Sequence, residues 1–422
     1  MRILQVNNYA YLKGGSEKVF FETIKILEDF GHEVSSFSMA NEKNREDINL
    51  KSVDVKPYED RQGFRDTLKA VKNFFYNSNV AAEFEKLLLE FKPDIIHIHI
   101  VYGRLTNAII GVARKHGVPV VQSVHEFRLL CPVYTCLDQQ NNVCEKCADS
   151  HMNLHCILNK CSKGGFSNSV LVAAECKFRD WFYNYQKNVA GFIMVSEFIM
   201  DKHLQYFPRI KSKCHQVYNS LDTADYKKFV NLNKFNEERY YLYFGRLSYE
   251  KGIMTLLDYF DKHRNDKLKI AGTGPLADEI RKRIISSNLN NVELLGYQSG
   301  DGLYRLIANS LFTIVPSEWY ENNPLTILES LSVGTPIIGN KIGGIPEIVM
   351  DKETGFVYDY KINGDFNRVM ELAHSLSCSE YCSMMDKCIK EAQSRFDNTV
   401  HYENLMRVYK SILGECNSKK RV

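Results

Sequence analysis

The sequence predicts an α/β protein built from two successive doubly wound, Rossmann-like units, and three observations predict it. Short runs of β-branched and aromatic residues alternate with helical stretches along the chain, the pattern of a parallel sheet covered by helices. Glycines recur just after the apolar runs, where strand-to-helix turns need them. The length of 422 residues is too great for one ordinary domain and sufficient for two, each able to bury its own core.

Residues 2–6 read as a buried first strand and Gly14-Gly15 as the loop after it. Ser16 then reads as the N-cap of a helix with Phe20, Ile24 and Leu27 on one face and Gly31 at its end. Residues 94–100 (DIIHIHI), 118–124 (VPVVQSV) and 191–195 are further strands of this series, and Gly117 closes the helix between the first two. A second series begins near Tyr240, with strands at 240–244, 268–271, 292–295, 312–315 and 336–338. This assigns residues 1–222 to a first domain, 223–238 to a polar linker, 239–397 to a second domain and 398–422 to a last helical segment. No strand follows that segment, so it is expected to pack back on the first domain. Two such units are expected to face each other across a cleft bordered by the carboxyl ends of both sheets.

Apolar residues make up 44% and charged residues 25%, ordinary values for a soluble globular protein, and a net charge of +3 gives no reason to expect nucleic-acid binding. No run of about 18 apolar residues occurs that could span a membrane. The opening MRILQVNNYAYLKGGSEKVF lacks the apolar core of a signal peptide. The expectation is a cytoplasmic protein whose twelve cysteines are mostly reduced.

Four segments at strand ends of the second series carry chemistry. In Phe244-Gly245-Arg246-Leu247-Ser248-Tyr249-Glu250-Lys251-Gly252, two cations stand between a strand and a helix, an arrangement suited to a diphosphate. The alternative is a solvated loop. In Ala271-Gly272-Thr273-Gly274-Pro275, the glycines let a ligand approach the backbone, or they form a plain tight turn. In the segment from Pro316 to Glu329, Glu321 lies in a loop and Glu329 in a helix that Pro324 opens. The loop amides and that helix N-terminus form an anion site. A carboxylate there can accept from sugar or ribose hydroxyls, or act only as a capping and surface charge. The fourth segment, Gly339-Asn340-Lys341-Ile342-Gly343-Gly344-Ile345-Pro346-Glu347, is a glycine-rich turn that structure alone can explain.

Gly-Arg-x-x-x-x-Lys-Gly, Gly-x-Gly-Pro-Leu, a pair of glutamates eight positions apart and Gly-Gly-Ile-Pro-Glu, in this order and spacing, resemble the large fourth family of retaining glycosyltransferases, which have the GT-B fold. The resemblance is strong over about 240–358 and weaker over 1–222, where Gly14-Gly15, His125 and Asn219 to Asp222 carry it. Ser220 stands where the family usually has glycine.

The resemblance implies roles. Arg246 and Lys251 hold the donor diphosphate and stabilise the leaving group. Glu329 binds the ribose, Glu321 contacts the donor sugar, and the backbone of Asn322, Asn323, Pro324 and Leu325 lies near sugar and phosphate. Gly272 and Gly274 belong to the donor site and Tyr297 lies near the base. Gly15 lets the first-domain loop close over the phosphates, and His125 contacts the transferred sugar or merely stabilises its loop. The donor is then a nucleotide-diphosphate sugar, UDP before GDP, and the acceptor a glycan or lipid-linked sugar of cell-surface polysaccharide synthesis. A sugar-nucleotide 2-epimerase of the same fold and an inactive nucleotide-sugar-binding scaffold are the alternatives. Both cations are expected in an exposed cleft, where their truncation leaves folding little changed.

No metal or other cofactor is assigned, since two fixed cations and a helix N-terminus can neutralise a departing diphosphate. The basic, aromatic segment from Arg61 to Tyr76 can lie on an anionic lipid surface, with residues 177–187 around Trp181 and Phe182 as a second contact, or can pack as an ordinary helix. Six cysteines fall between Cys131 and Cys161. Cys144, Cys147, Cys156 and Cys161 are of a kind that binds structural zinc, with His151 and His155 as substitutes, or they are reduced thiols without metal.

Overall fold

The computed structural model describes residues 1–56, 58–60, 63–148, 153–163, 165–230 and 239–419. The chain divides into two compact units. Unit 1 holds residues 1–140, 144–217 and 402–422, and unit 2 holds 141–143 and 218–401. Residues 231–238 of the expected linker lie outside the described residues.

Unit 1 is organised around a parallel sheet of seven strands: β1 (Arg2–Val6), β2 (Glu33–Met39), β3 (Leu50–Val53), β4 (Ile95–Ile98), β5 (Val120–Val124), β6 (Gly191–Met194) and β7 (Cys214–Gln216). Their spatial order is β3-β2-β1-β4-β5-β6-β7, so the order reverses between β1 and β4. β2 has no continuous apolar run, because the buried Ser35, Ser36 and Ser38 interrupt Val34, Phe37 and Met39. The helix Gly15–Asp29 is capped by Gly14 in extended conformation rather than by Ser16, which lies inside the first turn. Glycine is tolerated at an N-cap although it offers no side-chain oxygen to the first-turn amides, and no side-chain cap bond is made here. Phe20, Ile24 and Leu27 face the core as their spacing predicts, and Gly31, with φ of 78°, ends the helix.

The final helix Asn398–Lys419 contributes Leu405, Met406, Val408, Tyr409 and Ile412 to the core of unit 1, beside Ile3, Phe20, Val121 and Ile193. Tyr402 stacks on Phe30 at 3.8 Å, and Gly191 makes room for Ile412, whose Cδ1 lies 2.5 Å from where a Cβ would stand.

Unit 2 carries a six-stranded parallel sheet of β8 (Tyr241–Phe244), β9 (Leu268–Ala271), β10 (Val292–Gly296), β11 (Phe312–Val315), β12 (Ile337–Asn340) and β13 (Gly355–Tyr358), in the order β10-β9-β8-β11-β12-β13. Along β8 alternate residues serve different cores: Tyr241 and Tyr243 join one cluster, Leu242 and Phe244 the other. The order reverses between β8 and β11, and in sheets of this type ligands bind outside the carboxyl ends of strands at such a switch point.

Candidate functional site

The loops that leave β8 and β11 meet at the switch point of unit 2 and carry three of the expected donor-site side chains. The β8 loop is set first. Tyr243 donates its hydroxyl to the carbonyl of Arg246 at 2.7 Å, and Leu247 N–H donates to Thr273 O at 2.9 Å. Gly272 and Gly274 are required by this packing. A Cβ on Gly272 would stand 1.9 Å from Gly245 O, and one on Gly274 would stand 2.3 Å from Leu247 O. Gly252, with φ of 68°, caps the helix Ile253–Lys262, and a Cβ there would lie 2.0 Å from Pro316 O. The β8 and β11 loops are joined where Glu318 N–H donates to Glu250 O at 2.9 Å and Thr255 donates to the Glu318 carboxylate at 2.6 Å.

Glu321 is the centre of the arrangement. Its Oε1 accepts from Lys251 Nζ at 2.6 Å, Ser317 Oγ at 2.6 Å and Trp319 Nε1 at 2.9 Å. Lys251 Nζ also lies 5.0 Å from the Trp319 ring centre. Burial by itself pushes the Glu321 carboxyl up, but the Lys251 charge and the three hydrogen bonds outweigh it and hold the carboxyl below its ordinary value. Lys251 therefore is not a cation standing loose in a cleft, as the sequence implied. It is one half of an ion pair whose other half is buried.

The Gly343-Gly344 turn packs against the backbone of Glu321 and Asn322. A Cβ on Gly343 would lie 2.2 Å from Glu321 O and one on Gly344 2.0 Å from Asn322 O, while Gly344 N–H donates to Glu321 O at 2.7 Å. Asn340 at the end of β12 holds Ser317 O at 2.7 Å. Asn219 clamps Asn323 twice, donating its backbone N–H to Asn323 Oδ1 at 3.2 Å and its side-chain amide to Asn323 O at 3.0 Å. Pro324 is the N-cap of the helix Leu325–Ser332, so the amides of that first turn point toward the loop. Glu329 lies in this helix and is buried. Arg246 is exposed at the carboxyl end of β8, and Tyr297 is exposed just after β10.

In unit 1 the loops after β1 and β4 are also tied at the switch point: Asn8 donates to Tyr102 O at 3.1 Å and Ile100 N–H to Asn7 Oδ1 at 3.0 Å. Gly15 opens the helix Gly15–Asp29 and is exposed. His125 follows β5 directly, and its Nε2 lies 3.0 Å from Nδ1 of His99. The neighbouring Glu126 carboxyl is pushed up to about 7, because burial outweighs the nearby Arg128 charge and Glu17 adds to the rise. Sequence reasoning missed a buried polar group close by. Arg128 pairs with Glu175 at 3.1 Å, Asn107 donates to Glu175 at 3.1 Å, and Arg179 lies 5.5 Å over the Tyr102 ring. Arg128 lies 47 residues from Glu175, and although Glu175 and Arg179 share one helix, nothing local marks them as buried.

The six clustered cysteines are all unpaired thiols, with Cys131, Cys136 and Cys156 buried. The Cys136 thiol shares a hydrogen bond with Cys131, whose own thiol is lowered to about 6. Among the described residues no group of three or more His, Cys, Asp or Glu side chains is arranged to hold a metal ion; His151 lies outside those residues. Among the described residues, too, no helix is long and apolar enough to cross a membrane.

Residues 13–225 match the model of Glycosyltransferase Family 4, and residues 225–395 match that of Glycosyl transferases group 1. An uncharacterised 42.6 kDa protein in the cps region of Klebsiella pneumoniae is 25% identical over 361 residues, covering 82% of this chain and 87% of that protein. A glycogen synthase of Mycobacterium tuberculosis is 33% identical over 273 residues, covering 63% of this chain and 56% of that enzyme. Among solved structures, a Rickettsia africae glycosyltransferase superposes with a TM-score of 0.70 at 16% identity, covering 98% of each chain. The Anabaena HepE protein in complex with UDP superposes with a TM-score of 0.68 at 17% identity, covering 97% of this chain and all of that one. With half of its length matched by one family model and most of the rest by its companion, the chain belongs to Glycosyltransferase Family 4 and has the two-domain, Rossmann-like GT-B fold.

Proposed function

We propose that this glycosyltransferase moves a sugar from a nucleotide-diphosphate donor to a glycan or lipid-linked acceptor, with retention at the anomeric carbon and without a metal ion. The observation that carries this reading is the Lys251–Glu321 pair at the switch point of the second sheet. A lysine ammonium has three N–H donors. Lys251 can keep its bond to Glu321 and still donate to a diphosphate oxygen. The carboxylate cancels most of its charge, so Arg246 supplies the net positive charge that meets the growing charge on the leaving group. Glu321 receives sugar hydroxyls and Glu329 the ribose, while the first-turn amides after Pro324 face the phosphates. Gly272 and Gly274 serve the donor by letting the Arg246 loop pack close, and Tyr297 borders the base.

On this reading residues 239–397 form the donor domain. Residues 1–222 form the acceptor-side domain, where Gly15 meets the phosphates and His125 the transferred sugar. UDP is the first choice of nucleotide: the Anabaena structure of the same fold was solved with UDP. The Klebsiella relative from a cps region favours a role in cell-surface polysaccharide synthesis. The acceptor is then met at the inner face of the membrane. The helix Gly63–Phe75 buries none of its residues, Phe64 is 78% and Trp181 85% exposed, and Phe75 packs edge-on against Phe178 at 5.3 Å. With Arg65, Lys69, Lys72 and Lys177 interleaved, this helix and the helix Phe166–Phe182 make an aromatic, basic surface suited to anionic lipid.

The test is slow hydrolysis of UDP-glucose in the absence of acceptor. Arg246→Ala should lower this rate by about a hundredfold through lost charge stabilisation. An equal rate in variant and parent would remove Arg246 from the mechanism.

A further inference from the structure

His97 lies in the strand β4, and His99 follows the end of that strand directly. Both are about 1% exposed. Gln5 of β1 is the register partner of His97 and is fully buried. Its amide lies between the two rings: Oε1 is 3.0 Å from His99 Nε2 and Nε2 is 3.4 Å from His97 Nδ1. Tyr409 of the final helix places its hydroxyl 2.6 Å from the same His97 Nδ1, and Ser123 Oγ lies 2.8 Å from His97 Nε2. His99 in turn reaches His125, the rings lying within 8° of parallel with the 3.0 Å contact between Nδ1 and Nε2. Phe20 packs edge-on against His99 at 5.4 Å.

The proton positions follow from the chemistry of the amide. An amide nitrogen only donates and an amide oxygen only accepts. The Gln5 Nε2 N–H therefore faces His97 Nδ1 at 3.4 Å, the Tyr409 hydroxyl makes the shorter bond to that nitrogen's single lone pair at 2.6 Å, and His97 carries its proton on Nε2, toward Ser123. Gln5 Oε1 accepts from His99, so His99 also carries its proton on Nε2. In the neutral ring its Nδ1 is then an acceptor, and the hydrogen in the contact to His125 comes from His125 Nε2. All three rings share one self-consistent tautomer, with the lone pair of His125 on Nδ1.

The geometry points to His99 as a positioning residue that holds His125 in the Nε2–H tautomer, with Nδ1 set to accept a hydrogen bond from a hydroxyl of the transferred sugar. Gln5, His97 and Tyr409 form the row behind it. The final helix thus has a chemical role besides packing: its Tyr409 closes the far end of the row. The inference rests on the proposed placement of His125 at the donor sugar. A histidine held in one tautomer by a buried partner loses none of its interaction to the wrong proton position, an effect worth about tenfold or more where that nitrogen meets the substrate.

The experiment uses full-length protein labelled with 15N-histidine, long-range proton–nitrogen NMR spectra, and hydrolysis of UDP-glucose as the rate. In the parent, the His125 signals, assigned by their loss in His125→Ala, should show a protonated Nε2 and a bare Nδ1. In His99→Gln the amide reaches the position of Nε2 but offers nothing at Nδ1. His125 should then show both tautomers, and kcat should fall about tenfold with little change in KM. In His99→Asn the side-chain oxygen stands where Nδ1 stood, and both the tautomer and most of the rate should return. A bare Nε2 on His125 in the parent overturns the proposal, and that spectrum needs no variant to fold. Equal rates in His99→Gln, His99→Asn and parent also overturn it. If the tautomer is as stated but His125→Ala hydrolyses donor at the parent rate, the placement of His125 at the sugar fails, and the role of His99 fails with it.

Discussion

Lys251→Met tests the ion pair at the centre of the donor site. The substitution keeps an unbranched apolar side chain and removes the ammonium that lies 2.6 Å from Glu321 Oε1 and 5.0 Å from the Trp319 ring centre. Breaking a buried pair by removing one partner costs about 3–5 kcal/mol, because the other charge is left in a poor medium. Here the full figure is not reached. The Lys251 side chain is 23% exposed, so water screens the pair, and Ser317 and Trp319 still donate to the carboxylate. About 2 kcal/mol is the expected loss. The two tryptophans make the assay specific: with Trp181 replaced by Phe, the fluorescence of urea unfolding comes from Trp319, beside the pair.

The pH dependence has a definite sign. The folded Glu321 carboxyl sits below its ordinary value, so its stabilisation is complete above the unfolded value of about 4.3 and fades as pH falls through the folded value. In the variant the charge that held it low is gone, and burial pushes the carboxyl up. The resulting penalty is relieved as the carboxyl takes up its proton. The gap between parent and variant should therefore be widest near pH 7.5 and narrow toward pH 5. Glu321→Gln in the Lys251→Met background should recover at least half of the loss, since the lone buried charge disappears. A loss below about 0.5 kcal/mol at pH 7.5, or one that does not vary with pH, would refute the reasoning.

Two further predictions concern other parts of the molecule. Gly343→Ala puts a methyl 2.2 Å from Glu321 O at a φ of 62° and should cost about 2–4 kcal/mol, whereas Gly364→Ala, with φ of 81° and open space around it, should cost only about 1 kcal/mol; equal losses in urea unfolding would show that the close approach to Glu321 does not matter. Trp181→Ala with Phe64→Ala should lower sedimentation with vesicles of anionic phospholipid at least threefold and leave hydrolysis of UDP-glucose in solution unchanged; vesicle binding equal to the parent's would remove these helices as the lipid contact.

The residues that are regular in sequence were legible, and those that act through distant partners were not. The first strand, the apolar face of Phe20, Ile24 and Leu27, and β8 to β12 of the second series follow from the pattern of apolar residues, whereas β13 was not read. β2 escaped because three of its buried positions are serines, whose burial is decided by neighbouring strands. The motifs at the ends of β8 and β11 were visible as charge and glycine, but the bond between Lys251 and Glu321 spans 70 residues and needs the sheet order to be known. The same holds for the glycines. Gly272 and Gly274 read as a turn that a ligand could approach or as a plain tight turn, Gly343 and Gly344 as a turn that structure alone can explain, and the structure gives all four backbone neighbours of their own chain. The histidine row was hidden for another reason: in DIIHIHI the histidines of a buried strand look like any alternating pattern until Gln5 and Tyr409 are seen beside them.

The central claim is that unit 2 binds a nucleoside diphosphate through Glu329 and its sugar through Glu321, and calorimetry with UDP and UDP-glucose tests it most directly. Parent protein should bind both. Glu329→Ala should weaken both by tenfold or more, since the ribose is common to them and each strong hydrogen bond to a charged group is worth about 1.5–3 kcal/mol. Glu321→Ala should bind free UDP within about threefold of the parent while losing affinity for UDP-glucose. Full UDP affinity in Glu329→Ala, together with its loss in Glu321→Ala, would contradict the account.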